Sequence, residues 1–213
     1  LPGRVAWLKL DEFNRKSNAE VVTALKQVKS GLQGQPTRGL ILDLRDNPGG
    51  LLDQAVDITS HFVQSGPVVF TKERTGQTIP LNADRSQYLD LKMPVVVLVN
   101  NYSASASEIV SGALKDKGIA TIVGEQSYGK ASVQELVELK NGGALVITTA
   151  KYLTPLKRDI SDKGITPDVV VKASEEDEKT GRGAQLNKAV EIIGQKNAAL
   201  VQKANPGARA DAS

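Results

Sequence analysis

Hydrophobic positions follow two periods along this chain. Residues 39–44, Gly-Leu-Ile-Leu-Asp-Leu, and 94–100, Pro-Val-Val-Val-Leu-Val-Asn, are nearly unbroken apolar runs. Such runs predict strands buried on both faces. Residues 119–123 predict a third. Around them, apolar residues recur at helical spacing: Leu51, Leu52, Ala55, Val56, Ile58, Phe62 and Val63, then Ala106, Ile109, Val110, Ala113 and Leu114. Residues 5–10 read as a short strand. Ser17-Asn18-Ala19-Glu20 reads as a capping box opening a helix that runs to about Lys29.

The same patterning predicts a strand at 67–71 with a partner at 76–81, and polar loop over 82–93. Residues 133–139 and 144–150 form a pair joined by an Asn141-Gly142-Gly143 turn. A last short strand falls at 168–172. Strand and helix alternate through 39–44, 51–64, 67–71, 94–100, 106–116 and 119–123, which predicts an α/β fold with a largely parallel core sheet flanked by helices. Residues 1–172 are the expected core. Residues 173–183, charged and glycine-bearing, read as a linker, 184–203 as one more amphipathic helix, and 204–213 as a frayed tail.

Composition narrows the chemistry. Lys and Arg total 27 against 24 Asp and Glu, a net charge of +3, with the two signs interspersed. That is not the concentrated basic patch of a nucleic-acid binder. There is no cysteine, which removes disulfides, zinc–thiolate sites, iron–sulfur clusters and a cysteine nucleophile. The single histidine, His61, excludes a multi-histidine metal site. No apolar run approaches the roughly 20 residues that span a bilayer. Leu1-Pro2-Gly3-Arg4 is neither an initiator nor a signal peptide, so the chain reads as a mature product or a piece of a longer protein.

Two places combine an apolar strand, a small-residue turn and a helix, the arrangement that builds sites at strand carboxyl ends. The first is Asp43-Leu44-Arg45-Asp46-Asn47-Pro48-Gly49-Gly50. Paired glycines let backbone N–H groups approach a ligand, or they simply make a tight turn. Neither the Walker pattern nor G-x-G-x-x-G is present, so phosphate binding is not indicated. The second is Asn100-Asn101-Tyr102-Ser103-Ala104-Ser105-Ala106-Ser107-Glu108. A serine at a helix start is placed beside free N–H groups for an oxyanion. Ser105-Ala-Ser-Glu108 is equally a capping box, with Ser105 as N-cap.

A serine nucleophile needs a base. His61 reads as a partly exposed helix residue. Lys130, in Gly129-Lys130-Ala131-Ser132-Val133-Gln134, follows the third buried strand and therefore shares a sheet edge with the serine turn if the strands are parallel. A lysine serving as base near neutral pH must be held roughly 3 units below its usual pKa of about 10.4, which desolvation can supply. The alternative is a solvated surface charge. Gln134 carries a side-chain carbonyl that could orient the amine.

Taken together, four segments resemble the carboxyl-terminal processing peptidases, or tail-specific proteases: 39–52, 97–110, 123–134, and 152–155 with 163–169. The resemblance runs from about Arg4 to Lys172. It implies a serine endopeptidase acting by a serine–lysine dyad near protein C-termini, on a crotonase- or ClpP-like core. Ser105 matches the nucleophile, Lys130 the base and Gln134 the residue positioning the lysine. The backbone N–H groups of Gly50 and Ala106 match the oxyanion donors. No metal or organic cofactor is implied, and the partners are protein or peptide substrates. The implied location is a bacterial periplasm or cell envelope, or a plastid lumen.

The chain departs from the family in two ways. Family members often have glycine after the lysine, where this chain has Ala131. A positive φ there would cost about 1 kcal/mol or more. Family members also usually carry a PDZ domain ahead of this segment, and nothing in these residues corresponds to one. Two other readings remain: a catalytically incompetent peptide-binding core, and a crotonase-type acyl-CoA enzyme, which also uses two backbone amides as an oxyanion hole.

Overall fold

The computed structural model describes residues 1–32, 34–139 and 141–204. The expected tail beyond Ala204 lies outside the described residues.

Five parallel strands form the core sheet in the order β1 (Val5–Lys9), β2 (Gly39–Asp43), β5 (Val95–Val99), β6 (Ala120–Gly124) and β9 (Val169–Val170). The central strands β2 and β5 are buried at every position, as their unbroken apolar runs require. Alternate residues serve opposite faces. Leu40, Leu42, Val95, Val97 and Ile122 pack on one side with α1 (Ser17–Ser30), α2 (Leu52–Ser60) and α3 (Ala106–Asp116). Ile41, Val96, Leu98 and Val123 pack on the other against Leu186, Ala189, Ile192 and Ile193 of α5 (Ala184–Ala204).

Several expectations need correction. β3 (Pro67–Glu73) is not part of the core sheet. It joins a second, antiparallel sheet in the order β4 (Thr78–Asn82), β3, β8 (Ala144–Leu153), β7 (Ser132–Glu138). A short apolar run looks the same in either sheet, so periodicity could not separate them. The capping box at Ser17 does not form, because the N-cap is Lys16 and the Ser17 hydroxyl donates to Glu12 O at 2.9 Å. α2 stops at Ser60, short of the expected 64, and Arg85–Gln87 forms a 3-10 turn inside the expected loop. The stretch 173–183, read as a linker, contains the helix α4 (Glu175–Thr180) and a buried carboxylate, Asp177.

Asp177 reaches back to the core. Arg45, 5% exposed, donates to Asp43 Oδ2 at 2.6 Å, Asp177 Oδ1 at 3.0 Å and Gln185 Oε1 at 3.1 Å. Burial works against the Arg45 charge, but hydrogen bonding and attraction from Asp43 and Asp177 outweigh it and raise its pKa. Burial likewise pushes the Asp177 carboxyl up. The bonds from Ser174 and Gln185 and the nearby Arg45 outweigh it, so the net shift is downward. This buried cluster fastens the C-terminal helices to the end of β2.

Candidate active site

β5 and β6 are parallel neighbours, so the turns after Val99 and Gly124 emerge at one edge. The turn after β2 emerges beside them. The three loops that carry the sequence candidates therefore meet at the carboxyl end of the core sheet.

The serine turn is stitched to the glycine turn by its own outer serines. Ser103 Oγ donates to Leu44 O at 2.7 Å, and Ser107 Oγ donates to Asn47 O at 3.0 Å. Ala104 N–H donates to Asn47 O at 3.0 Å. Both outer serines are fully buried. Of the three alternating serines, only Ser105 keeps a hydroxyl that is not spent on a backbone carbonyl, and it alone is partly exposed. Its backbone sits at φ 53°, ψ −113°, a region that costs a non-glycine residue about 1–3 kcal/mol. Strand β5, a sharp turn with a strained serine, and helix α3 reproduce the layout that lifts a nucleophile off a sheet. The capping box that the sequence suggests is present at Ser105: its N–H donates to Glu108 Oε2 at 2.9 Å, and its side chain faces the Glu108 N–H, which also donates to the Ser105 carbonyl at 2.9 Å.

The glycine turn presses directly on this serine. A Cβ at Gly49, whose φ is +103°, would lie 2.8 Å from Ser105 Cβ and 2.9 Å from Ala106 N. Gly50, at φ +141°, passes so close to Phe13 O that no side chain fits. Asn47 holds the turn in shape by accepting Gly49 N–H at 2.9 Å and donating to Leu10 O at 2.7 Å. Among the described residues neither Gly50 N–H nor Ala106 N–H donates in the loop backbone network. Gly50 is exposed.

The lysine loop docks on the same turn. Tyr128 N–H donates to Ser103 O at 3.0 Å. Lys130 N–H and Ser105 N–H both donate to Glu108 Oε2, each at 2.9 Å. The two amide nitrogens are thus no further apart than these two bonds laid end to end. The Lys130 side chain is exposed, and among the described residues its amine makes no hydrogen bond or ion pair. Ala131 is buried and is absent from the positive-φ positions, so the strain feared there does not arise. Gly129, at φ +91°, makes the turn instead. The loop is backed by residues 160–165: Asp162 N–H donates to Gly129 O, and Ile165 N–H to Ser127 Oγ at 2.6 Å.

Gln134 lies exposed on the edge strand β7, at an irregular register step between Val133 and Gln134. Among the described residues it makes no hydrogen bond to Lys130. His61 is buried at 2% exposure rather than partly exposed. Its ring nitrogens are engaged by Gln87 O at 3.0 Å and Asn18 Oδ1 at 2.7 Å, so it is a packed core histidine. No cluster of three or more metal-ligating side chains occurs among the described residues. A cavity of about 830 Å³ lined by Trp7, Asp46, Asn100, Tyr102 and Asp177 adjoins the site without including Ser105 or Lys130.

Glu108 escaped sequence reasoning because a cap already explained it. The signal available was a glutamate at the third position of a helix whose N-cap is the candidate nucleophile.

The architecture defines a mixed α/β domain with a strained serine at a strand-to-helix turn. The chain belongs to peptidase family S41, whose model matches residues 4–171. It is 44% identical over 171 residues to a carboxy-terminal-processing protease of Bartonella bacilliformis, covering 80% of this chain and 39% of that protein. Carboxyl-terminal-processing peptidase 2, chloroplastic, of Arabidopsis thaliana is 36% identical over 165 residues, covering 78% and 31%. Among solved structures, a photosystem II D1 C-terminal processing protease superposes with a TM-score of 0.74 at 32% identity, covering 91% of this chain and 48% of that one. The tricorn protease shares the fold, with a TM-score of 0.59 at 17% identity, covering 92% of this chain and 18% of that one. The chain spans about two fifths of the length of the first curated relatives it matches.

Proposed function

We propose that this chain carries the catalytic core of a serine peptidase that cleaves proteins near their C-termini through a Ser105–Lys130 dyad. The observation that carries the reading is the division of labour among the three serines. Two donate their hydroxyls in holding the turn, and the strained third donates its hydroxyl to no backbone carbonyl, beside a loop whose lysine backbone shares its hydrogen-bond acceptor.

In this mechanism the unprotonated Lys130 amine takes the Ser105 proton as Oγ attacks the peptide carbonyl carbon. The Gly50 and Ala106 amides receive the oxyanion. The tetrahedral intermediate collapses, and the Lys130 ammonium returns a proton to the departing amine. Lys130 then takes a proton from water, which attacks the acyl carbon, and Ser105 leaves with that proton. Closure of the substrate over the exposed Lys130 strips its water and favours the neutral amine. Gln134 orients that amine once substrate is in place. The exposed Tyr102 and Tyr128 flank the two loops and offer aromatic surface to apolar substrate side chains. The chloroplastic relatives and the bacterial ones support a location in a plastid lumen or a bacterial envelope. No helix among the described residues is long and apolar enough to cross a membrane.

The test is turnover of an unfolded, fluorescently quenched protein by this chain and by its Ser105→Ala and Lys130→Ala variants. Each variant is expected to lose at least about 1,000-fold in kcat/KM. Turnover that survives in Ser105→Ala would overturn the assignment.

A further inference from the structure

We propose that Glu108 is a positioning residue for acyl transfer, a single buried carboxylate that holds the nucleophile turn and the base loop in one register. The inference rests on the Ser105–Lys130 reading above and deepens it. Glu108 has no exposed surface. Its Oε2 accepts the N–H groups of Ser105 and Lys130, each at 2.9 Å. Its Oε1 accepts Ser127 Oγ–H at 2.6 Å and Gly129 N–H at 2.7 Å. A helix cap requires only the first of these four bonds. The other three reach a loop more than a helix length away in sequence and serve no purpose in capping α3.

The chemistry of the donor set explains why the residue must be a carboxylate. Three of the four donors are backbone N–H groups, which cannot reverse their polarity, and only an ionised carboxylate presents acceptors on both oxygens. A glutamine amide would turn its NH2 against at least one of those N–H groups in either orientation. The unpaired group would then be buried and costly. The length matters as well. The glutamate side chain spans from α3 to the loop after β6, and the Ser127 hydroxyl continues the link by accepting Ile165 N–H at 2.6 Å. Loosening this clamp lets the lysine loop drift from the serine turn. A displacement near 1 Å between reacting groups costs about 100-fold in rate.

The experiment compares the full chain with Glu108→Gln and with Ser127→Ala, which removes one of the four bonds. Amide hydrogen exchange is measured at Ser105, Gly129 and Lys130. Values of kcat, KM and the pH profile are measured on the same quenched protein. Exchange in Glu108→Gln is expected to speed up at Gly129 and Lys130. Its kcat is expected to fall about 10- to 100-fold with KM nearly unchanged, and the midpoint of its pH profile is expected to move. Ser127→Ala is expected to change each in the same direction by less, and it decides the matter if Glu108→Gln does not fold. Parent-like kcat and midpoint would overturn the proposal while leaving the dyad intact. So would a loss of activity that merely tracks the unfolded fraction with the midpoint fixed. A parent whose turnover is indifferent to Ser105→Ala would instead overturn the dyad, and this proposal with it.

Discussion

In the proposed mechanism, Ser105 sets stability against chemistry in one residue. Its φ of 53° costs about 1–3 kcal/mol, whereas glycine adopts that conformation freely and loses only about 0.5–1 kcal/mol more chain entropy on folding. Ser105→Gly is therefore expected to raise the unfolding free energy in urea by about 1 kcal/mol while abolishing turnover. Ala131 is expected to behave oppositely. Because it is buried without a positive φ, Ala131→Gly should lower stability by about 0.5–1 kcal/mol and bring no gain in activity. Much of this was legible in the sequence. The alternating serines and the glycine pair marked the two turns. The family resemblance pointed to Ser105, but the residues alone did not separate it from its neighbours, because the distinction lies in the carbonyls of Leu44 and Asn47, contributed by a different strand and loop.

At the scale of elements, the apolar runs at 39–44, 94–100 and 119–123 identified the three central strands because burial on both faces leaves an unbroken signature. The role of α4 was not legible. Its sequence is charged like a linker, and the acid that matters pairs with an arginine across 132 positions. The Arg45–Asp177 pair leads to two expectations. Arg45→Ala leaves two buried carboxylates uncompensated and should cost about 3–5 kcal/mol in thermal or urea unfolding. The second concerns acid. The Asp177 pKa is lowered in the folded protein. Its contribution to stability is thus complete above the ordinary carboxylate range and disappears as pH falls through the lowered folded value. Stability curves measured from neutral to acid pH should lose this component in Asp177→Asn, which should be less stable than the parent at neutral pH and approach it in acid.

For the whole molecule, the parallel sheet places three loops at one edge, and the antiparallel sheet supplies β7 directly after the lysine loop. Sequence order alone could not separate the two sheets, so the expected parallel core sheet is found, while 67–71, read in the same strand–helix alternation, belongs to the antiparallel sheet. The central claim is that this edge makes Ser105 a nucleophile dependent on Lys130. Intact mass and peptide mapping after treatment with a fluorophosphonate, from about pH 6 to about pH 10, test it most directly. The account predicts one equivalent of label on Ser105, at a rate that rises with pH and collapses in Lys130→Ala. Label on another residue, or the same rate in Lys130→Ala, would contradict it.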